Sequence, residues 1–258
     1  NDYLDGWVDE LLNNPTEDFD ITMTGGYELA LFGHYLSSFI DPKGVDTAKN
    51  STIIREIWER YRDHTTSAFS AVKYVLEDST KGYGTSFIEA WVDFITRNLY
   101  NGIFEDMDNE FYYYVDQTLI DPIQTTAPTL YDSFSFEIDL DDKSVAVQSY
   151  SIGDLNTIVD IKHDSDDYVG RVATVSKESD VNAMFWSKDA MSQELHSGDK
   201  IHFIYGIDKS SGTVIINAIP NTVPIHPLGL SVTAAQDSMI LYWNPSPGPG
   251  NSLYYIIY

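Results

Sequence analysis

The sequence predicts an α+β protein built from several modules. An N-terminal α-helical lobe over residues 1–122 precedes an antiparallel β-sandwich over 127–220 and the opening strands of a truncated module over 227–258. Two observations predict this order. Apolar residues recur at helical spacing up to about residue 120, and beyond it they alternate with polar residues in short runs bounded by turn-forming residues. The last module has about a third of the roughly 100 residues that a closed sandwich needs, so we expect the chain to be a fragment of a longer protein.

Five helices are predicted within the lobe, each from one apolar stripe. The clearest start is Ser86, which forms a capping box with Glu89 because each side chain satisfies a backbone amide that the first turn leaves unpaired. Asn50 or Ser51 caps the third helix, and Gly102 ends the fifth. The five helices are expected near Leu4–Leu12, Tyr27–Ile40, Ile53–Tyr61, Ser67–Asp78 and Phe87–Ile95.

Alternating runs predict the strands that follow. Each run is short, and Asp, Gly, Ser or Asn bounds it, as is typical of strands joined by tight turns. The sandwich strands are expected at Ser133–Leu140, Ser144–Tyr150, Thr157–Lys162, Gly170–Val175, Ile201–Asp208 and Thr213–Ile219. The last module has runs at Leu228–Ala234 and Ser238–Trp243, and a third run starts at Leu253.

The tryptophans allow two interpretations. Aromatic rings on a surface stack on sugars, whereas aromatic rings on an apolar stripe fill a core. Most of the five tryptophans fall on such stripes: Trp7, Trp58 and Trp91 on helices and Trp243 on a strand. The pattern therefore favours core packing for these four.

Composition excludes several classes of function. The formal charge is −25, from 40 acidic and 15 basic residues, and both halves of the chain are acidic. Such a surface repels nucleic acids and anionic lipids and suits a salty medium, a cationic partner or calcium. The absence of cysteine excludes disulfides and thiolate metal sites. The sequence has no apolar stretch of the roughly 18 residues that a membrane span needs, so no transmembrane segment is expected.

Clusters of acidic residues are candidate calcium sites, because calcium takes oxygen ligands from closely spaced acids in loops. Solvated turns are the alternative for each cluster. Phe111 stands where an EF-hand loop built on the first cluster would need glycine, so that cluster is not an EF-hand. The candidate ligands are Asp106, Asp108 and Glu110 in the lobe and Asp139, Asp141, Asp164 and Asp166 in loops of the sandwich.

Motifs of common catalytic centres are missing from the sequence. It contains no His-Glu-x-x-His, no glycine-rich phosphate loop and no nucleophile elbow, and no two of its six histidines are four residues apart. Tyr27 and His34 lie seven residues apart on the second predicted helix. They are either half-buried packing residues or the wall of an active-site cleft. No catalytic residue is assigned within the chain, which on its own is predicted to be inactive.

Three packing motifs resemble a family of secreted bacterial zinc metalloproteases. They are Asn1-Asp2-Tyr3-Leu4, Tyr27 with His34-Tyr35-Leu36, and Phe87-Ile-Glu-Ala90-Trp91-Val-Asp-Phe94 with Asn101-Gly102. In that family a His-Glu-x-x-His helix and a glutamate ligand precede these motifs, and a β-sandwich follows them. The resemblance therefore implies that zinc binds upstream of Asn1. Glu28 departs from the family, which usually has glycine after the tyrosine.

The last module is similar to the opening strands of a fibronectin type III domain. The similarity covers 227–258, and it implies that Trp243 is the core tryptophan of the second strand. Domains of this type often follow the sandwich in the metalloprotease family.

Two functional hypotheses remain open. The chain is either the C-terminal side of a secreted zinc endopeptidase acting on protein or peptide substrates, or a non-catalytic extracellular adhesion or assembly protein of the bacterial surface that works through its sandwich modules. In the second case the open strand edge near Tyr258 can pair with another chain. Both hypotheses place the protein outside the cell.

Overall fold

The structure is a computed structural model in which helices come first and strands follow, so the predicted α+β class is confirmed. It describes residues 30–43, 50–64, 67–101, 123, 125–131, 134–153, 157–163, 168–175, 181–185, 191–208, 211–220, 231–235 and 238–242. The predicted helix near Leu4–Leu12 and the run at Leu253 lie outside these residues.

Four helices are present in the part of the chain that the structure describes. Helix α1 continues directly into one π-helical stretch, Leu36–Ile40. The four are α1 (Ala30–Tyr35), α2 (Ile53–His64), α3 (Ala68–Glu77) and α4 (Phe87–Asn98).

Caps explain where these helices begin. The predicted capping box of α4 is confirmed: the Glu89 amide donates to Ser86 Oγ at 3.2 Å, and the Ser86 amide donates to Glu89 Oε2 at 2.8 Å. At α2 the predicted cap is wrong. Buried Asp41 accepts from the amides of Thr52 at 2.8 Å and Ile53 at 3.3 Å, so the residue after the π-helix caps the next helix. Although burial opposes ionisation, the backbone hydrogen bonds of Lys43 and Thr52 lower the pKa of Asp41.

Eleven strands are assigned within the described residues. Their pairing is antiparallel throughout, apart from two residue pairs that join β1 to β3 in parallel. The strands are β1 (Thr129–Leu130), β2 (Phe134–Leu140), β3 (Val145–Ile152), β4 (Thr157–His163), β5 (Val169–Val175), β6 (Val181–Phe185), β7 (Met191–Leu195), β8 (Lys200–Gly206), β9 (Gly212–Pro220), β10 (Ser231–Ala235) and β11 (Ser238–Tyr242).

Two sheets form the sandwich. One has the order β1-β3-β8-β5-β6 and the other the order β2-β9-β4-β7, while β10 and β11 form a separate hairpin. The two sheets share one apolar core, to which β8 contributes Ile201, Phe203 and Tyr205 and β9 contributes Val214 and Ile216. The strand period of two explains this arrangement, because alternate residues of β8 point to the same face.

The opposite face of β8 is covered by helices. Ile204 of β8 belongs to the same buried cluster as Trp91 and Phe94 of α4, together with Val145 of β3 and Ala173 of β5. The molecule is therefore layered as helices, five-stranded sheet and four-stranded sheet, and the apolar core of the helices continues onto the sandwich.

The tryptophan predictions have mixed outcomes. Trp91 is buried, as expected, whereas Trp58 is 65% exposed, so its assignment to the core is wrong. Trp58 lies about 140° around the helix from Ile53, the buried residue of α2, and this turns its ring past the edge of the apolar stripe. Trp7 and Trp243 lie outside the described residues.

The contact between α4 and β8 yields a stability prediction. A Cβ added at Gly206 would lie 2.6 Å from both Ile88 Cδ1 and Val92 Cγ2. Gly206→Ala should therefore lower the free energy of unfolding by about 1–3 kcal/mol, because the side chains of Ile88 and Val92 must shift to make room. Urea unfolding followed by circular dichroism measures this change.

Gly33 provides the matched control for this substitution. It lies in α1, and a Cβ there would meet Ile54 Cδ1 at an ordinary 3.7 Å. Gly33→Ala should leave stability unchanged or raise it by up to about 1 kcal/mol, because alanine loses less backbone entropy in a helix. Equal effects of the two substitutions would contradict the close packing at Gly206.

Candidate functional site

The sequence-predicted site residues are scattered in the structure. His34 is exposed near the end of α1, and its predicted partner Tyr27 lies outside the described residues. Asp139 and Asp141 are exposed at the end of β2 and in the turn after it. Thr213 Oγ1 donates to Asp139 Oδ1 at 2.7 Å across the pair of β2 and β9.

Two of the seven calcium candidates, Asp139 and Asp141, are among the described residues. Residues Asp106, Asp108, Glu110, Asp164 and Asp166 lie outside the described ranges. Among residues whose placement the structure gives, no group of three or more histidines and acids is arranged to hold a metal ion. The calcium sites stay predictions.

A buried ion cluster joins α4 to the sandwich. Asp93 of α4 accepts from Arg97 Nε at 2.7 Å and from the Tyr35 hydroxyl at 2.8 Å, both at Oδ2, and Arg171 of β5 donates to Oδ1. The carboxylate is thus held by one residue from α1, one from its own helix and one from the sheet. We call Tyr35, Asp93, Arg97 and Arg171 the Asp93 clamp.

The charges of the clamp are tuned by burial and by each other. Burial alone would raise the pKa of Asp93, but Arg97 and Arg171 outweigh it and hold that pKa below its usual range. Burial and the neighbouring Asp93 charge raise the pKa of Tyr35, so its phenol stays protonated and donates. The guanidinium of Arg97 also lies 3.7 Å from the ring centre of Phe39 in the π-helix. All these groups are occupied with one another, which is typical of a structural cluster.

A second buried polar pair lies on the same face of the five-stranded sheet. Ser149 Oγ of β3 is 2.7 Å from His202 Nδ1 of β8, and the two residues are paired in register. Burial lowers the pKa of His202 to about 4, with a smaller effect of Lys200 in the same direction. His202 is therefore neutral at pH 7, and the Tyr100 ring packs edge-on against it with centroids 6.3 Å apart. The pair has the residue types of a nucleophile and a base, but both side chains are buried.

The exposed side of α2 has a different character. Trp58 is 65% and Tyr61 44% exposed, and their ring centroids lie 5.9 Å apart at an interplanar angle of 90°. These rings border a pocket of about 400 Å³. We call its lining, formed by Arg55, Trp58, Glu59, Tyr61 and Arg62, the α2 aromatic surface.

Contacts on the other side of α2 fix the direction of this surface. Ile53 is fully buried, Glu56 Oε2 binds Lys81 Nζ at 3.0 Å, and the Arg60 guanidinium lies 3.6 Å from the ring centre of Tyr74 on α3. The contact of Arg60 with Tyr74 holds the helix against α3, and the three contacts together leave Trp58 facing outward. Trp58 and Glu59 come three and four residues after Arg55, and Tyr61 and Arg62 come three and four residues after Trp58. This spacing places all five on one side of the helix.

Sequence reasoning missed the Asp93 clamp and the α2 aromatic surface, although part of the signal for each was present in the sequence. Asp93 and Arg97 are four residues apart on a helix, which is the spacing of an ion pair. Arg171 is 78 residues from Asp93, and no local pattern connects them. Three of the five arginines fall in an eight-residue stretch of α2 around Trp58. Such clustering in an acidic chain is a sequence signal for an unusual surface.

Comparisons with known proteins give little guidance. No family model matches the sequence, and no curated protein matches it. Among solved structures, that of Salmonella Typhimurium PliG, a periplasmic lysozyme inhibitor of g-type lysozyme, is similar over 37% of this chain and 100% of that chain, with 6% identity and a TM-score of 0.28. A similarity of this size supports no argument. Of the helices that are described, none has the length and apolar character of a membrane span.

The clamp yields a second stability prediction. Asp93→Asn removes the carboxylate and leaves two buried arginines without their shared counter-charge. The free energy of unfolding should fall by about 3–5 kcal/mol, as for other buried pairs broken from one side. Asp63→Asn is the control, because the pair of Asp63 with Arg62 is exposed and the variant should unfold with the parent protein. Similar losses in both variants, measured by urea unfolding, would contradict the role of the clamp.

His202 yields a prediction of pH dependence. Its pKa is about 4 when folded, against about 6.5 in an unfolded chain, so the unfolded state binds the proton first as the pH falls. The contribution of His202 to the free energy of unfolding should therefore be fully present above about pH 6.5. It should fall by about 3 kcal/mol on going to pH 4. The contribution of Asp93 starts to fall at about pH 5, near the pKa of an unfolded aspartate, and its loss continues down through the depressed folded pKa.

Two variants isolate the contribution of the histidine. His202→Gln should flatten the dependence of unfolding free energy on pH between 6.5 and 4, whereas His34→Gln, at an exposed position, should preserve it. Thermal unfolding followed across this pH range measures both slopes. An unchanged slope in His202→Gln would assign the effect to other groups.

Proposed function

We propose that this chain is a non-catalytic binding module of a secreted or cell-surface bacterial protein. On this proposal the helices and the sandwich form a rigid support, and the α2 aromatic surface contacts the partner. The single observation that carries the proposal is the exposure of Trp58, at 65%, on a helix whose opposite side is packed. A large aromatic ring that is left in water beside a second exposed ring is informative, since contiguous exposed apolar patches mark binding sites.

The composition of the surface supports this proposal. Tryptophan, tyrosine and arginine are the residues that contribute most to binding energy at interfaces. The α2 aromatic surface combines all three in Trp58, Tyr61, Arg55 and Arg62. The helix itself is anchored by Ile53 and by the contact of Arg60 with Tyr74, so the two rings are presented from a rigid element.

The charge of the chain supports a location outside the cell. A net charge of −25 keeps a protein soluble in salty media and disfavours nucleic acid partners. The strand hairpin of β10 and β11 agrees with the start of a further sandwich module of the fibronectin type III kind, which we retain as part of the proposal. Calcium at the exposed acids Asp139 and Asp141 would fit the same medium.

A second function, as the supporting region of a secreted zinc metalloendopeptidase, is favoured by α4. The residues of the family-like motif lie on α4 and are all buried in the core that the helices share with the sheet: Phe87, Ala90, Trp91 and Phe94. A motif of this kind conserves packing, so its burial supports the resemblance. In that case the chain would position a zinc centre whose ligands belong to residues preceding Asn1.

Retention on surfaces tests the binding proposal. The purified chain is incubated with insoluble chitin, cellulose and peptidoglycan, and with beads carrying collagen or fibrinogen. We expect retention on at least one of these, and a loss of at least tenfold in Trp58→Ala/Tyr61→Ala because the exposed rings supply the contact area. Tyr131→Ala is the matched control, since Tyr131 is 63% exposed and follows β1 in the sandwich.

Three results would contradict the proposal. They are no retention on any matrix, equal retention of the double variant with a native circular dichroism spectrum, and a larger loss in the Tyr131 control. Cleavage of casein by the chain in the presence of zinc would instead establish a peptidase.

A further inference from the structure

We infer that the α2 aromatic surface binds the ring of a neutral saccharide. This inference rests on the proposed function and names the chemical class of the partner. It differs from the core role that the sequence predicts for Trp58, because the exposed indole and the neighbouring phenol form the walls of a pocket.

The arrangement of the two rings fits a sugar. Trp58 and Tyr61 lie at 90° with centroids 5.9 Å apart, so one ring can lie under a flat ligand while the other meets its edge. The face of an aromatic ring is negative, and it attracts the weakly positive C–H groups on the face of a pyranose. The pocket of about 400 Å³ lies at the small end of ligand sites, which span roughly 300–1,000 Å³, and suits one or two rings.

The polar groups fit hydroxyls in particular. A hydroxyl both donates and accepts, so a site for several of them needs donors and acceptors side by side. Arg55 and Arg62 supply donors and Glu59 supplies carboxylate acceptors around the same pocket. The indole N–H of Trp58 and the hydroxyl of Tyr61 add a donor and a mixed group.

Charge decides between saccharide classes. The pocket lining carries two arginines and one glutamate, and Asp63, 2.6 Å from Arg62, balances the second arginine. The local formal charge is therefore zero, whereas the whole chain carries −25. The net charge of the protein repels an anionic ligand. The same charge attracts a cationic ligand at long range, but the guanidinium of Arg55 repels it at the pocket itself. A neutral ligand meets neither penalty.

The size of the surface argues against a folded protein as the partner. A stable protein interface covers about 800 Å² on each side, or about 20–30 residues. The α2 aromatic surface is one pocket on a single helical face, bordered at the C-terminal end of α2 by the exposed Asp63 and His64.

Titration calorimetry with defined oligosaccharides tests the inference. The probes are cellopentaose, N-acetylchitopentaose and maltopentaose as neutral ligands, a pentamer of galacturonic acid as the anionic ligand, and chitosan pentamer as the cationic one. We expect at least one neutral probe to bind, and both charged probes to bind at least tenfold more weakly. Binding should produce a change in tryptophan fluorescence that Trp58→Phe removes.

Two variants sharpen the test. Trp58→Ala should weaken binding at least tenfold, and Glu59→Gln should weaken it by about three- to tenfold, because it keeps the shape of the side chain and loses the charged acceptor. Glu59 is exposed, so this variant remains informative even if Trp58→Ala unfolds. Tyr131→Ala should bind like the parent protein.

Each remaining outcome overturns the inference. These outcomes are no binding of any neutral probe at millimolar concentration, stronger binding of a charged probe, and binding that neither Trp58→Ala nor Glu59→Gln alters. Retention on collagen or fibrinogen beads without binding of a saccharide would overturn this inference while the proposed binding function stands. Failure of the parent chain to be retained on any matrix, together with no binding of any saccharide, would overturn both.

Discussion

One buried carboxylate fixes how the helices sit on the sandwich. The hydrophobic effect that packs Trp91 and Phe94 against the sheet is not directional in itself. Asp93 adds a directional constraint, because its two oxygens must meet Arg171 on the sheet and Arg97 and Tyr35 on the helical side at the same time. Removing these charges from water is costly, so the cluster contributes a unique register more than it contributes net stability.

Local signals predicted the elements, and long-range contacts set their roles. The capping box at Ser86 and the alternation of β2 lie within single segments, so the sequence shows them directly. Strand β7 was missed because Met191–Leu195 is rich in residues that favour helices, and pairing with β4 overrides that preference. The Asp93 clamp depends on a partner 78 residues away, and the outward turn of Trp58 depends on which side of α2 packs against α3.

The arginines of the chain divide into two groups with opposite surroundings. Arg97 and Arg171 are buried against Asp93, where the planar guanidinium can satisfy several acceptors without water. Arg55, Arg60 and Arg62 all lie on α2. Arg55 and Arg62 line the pocket of the exposed rings, and Arg60 packs on Tyr74 of α3. Lysine supplies the other ten basic residues. Arginine is thus confined to the two places where geometry, and not charge alone, matters.

The continuity of the core through β8 has a consequence for dissecting the protein. This strand is central in its sheet, and its residues from Ile201 to Gly206 are all buried, facing the helices on one side and the second sheet on the other. Separating the polypeptide between the helices and the first strands would leave an apolar sheet face and an apolar helix face both open to water. Each half would then tend to aggregate, so deletion series and domain-by-domain expression should keep α4 and the sandwich on one polypeptide.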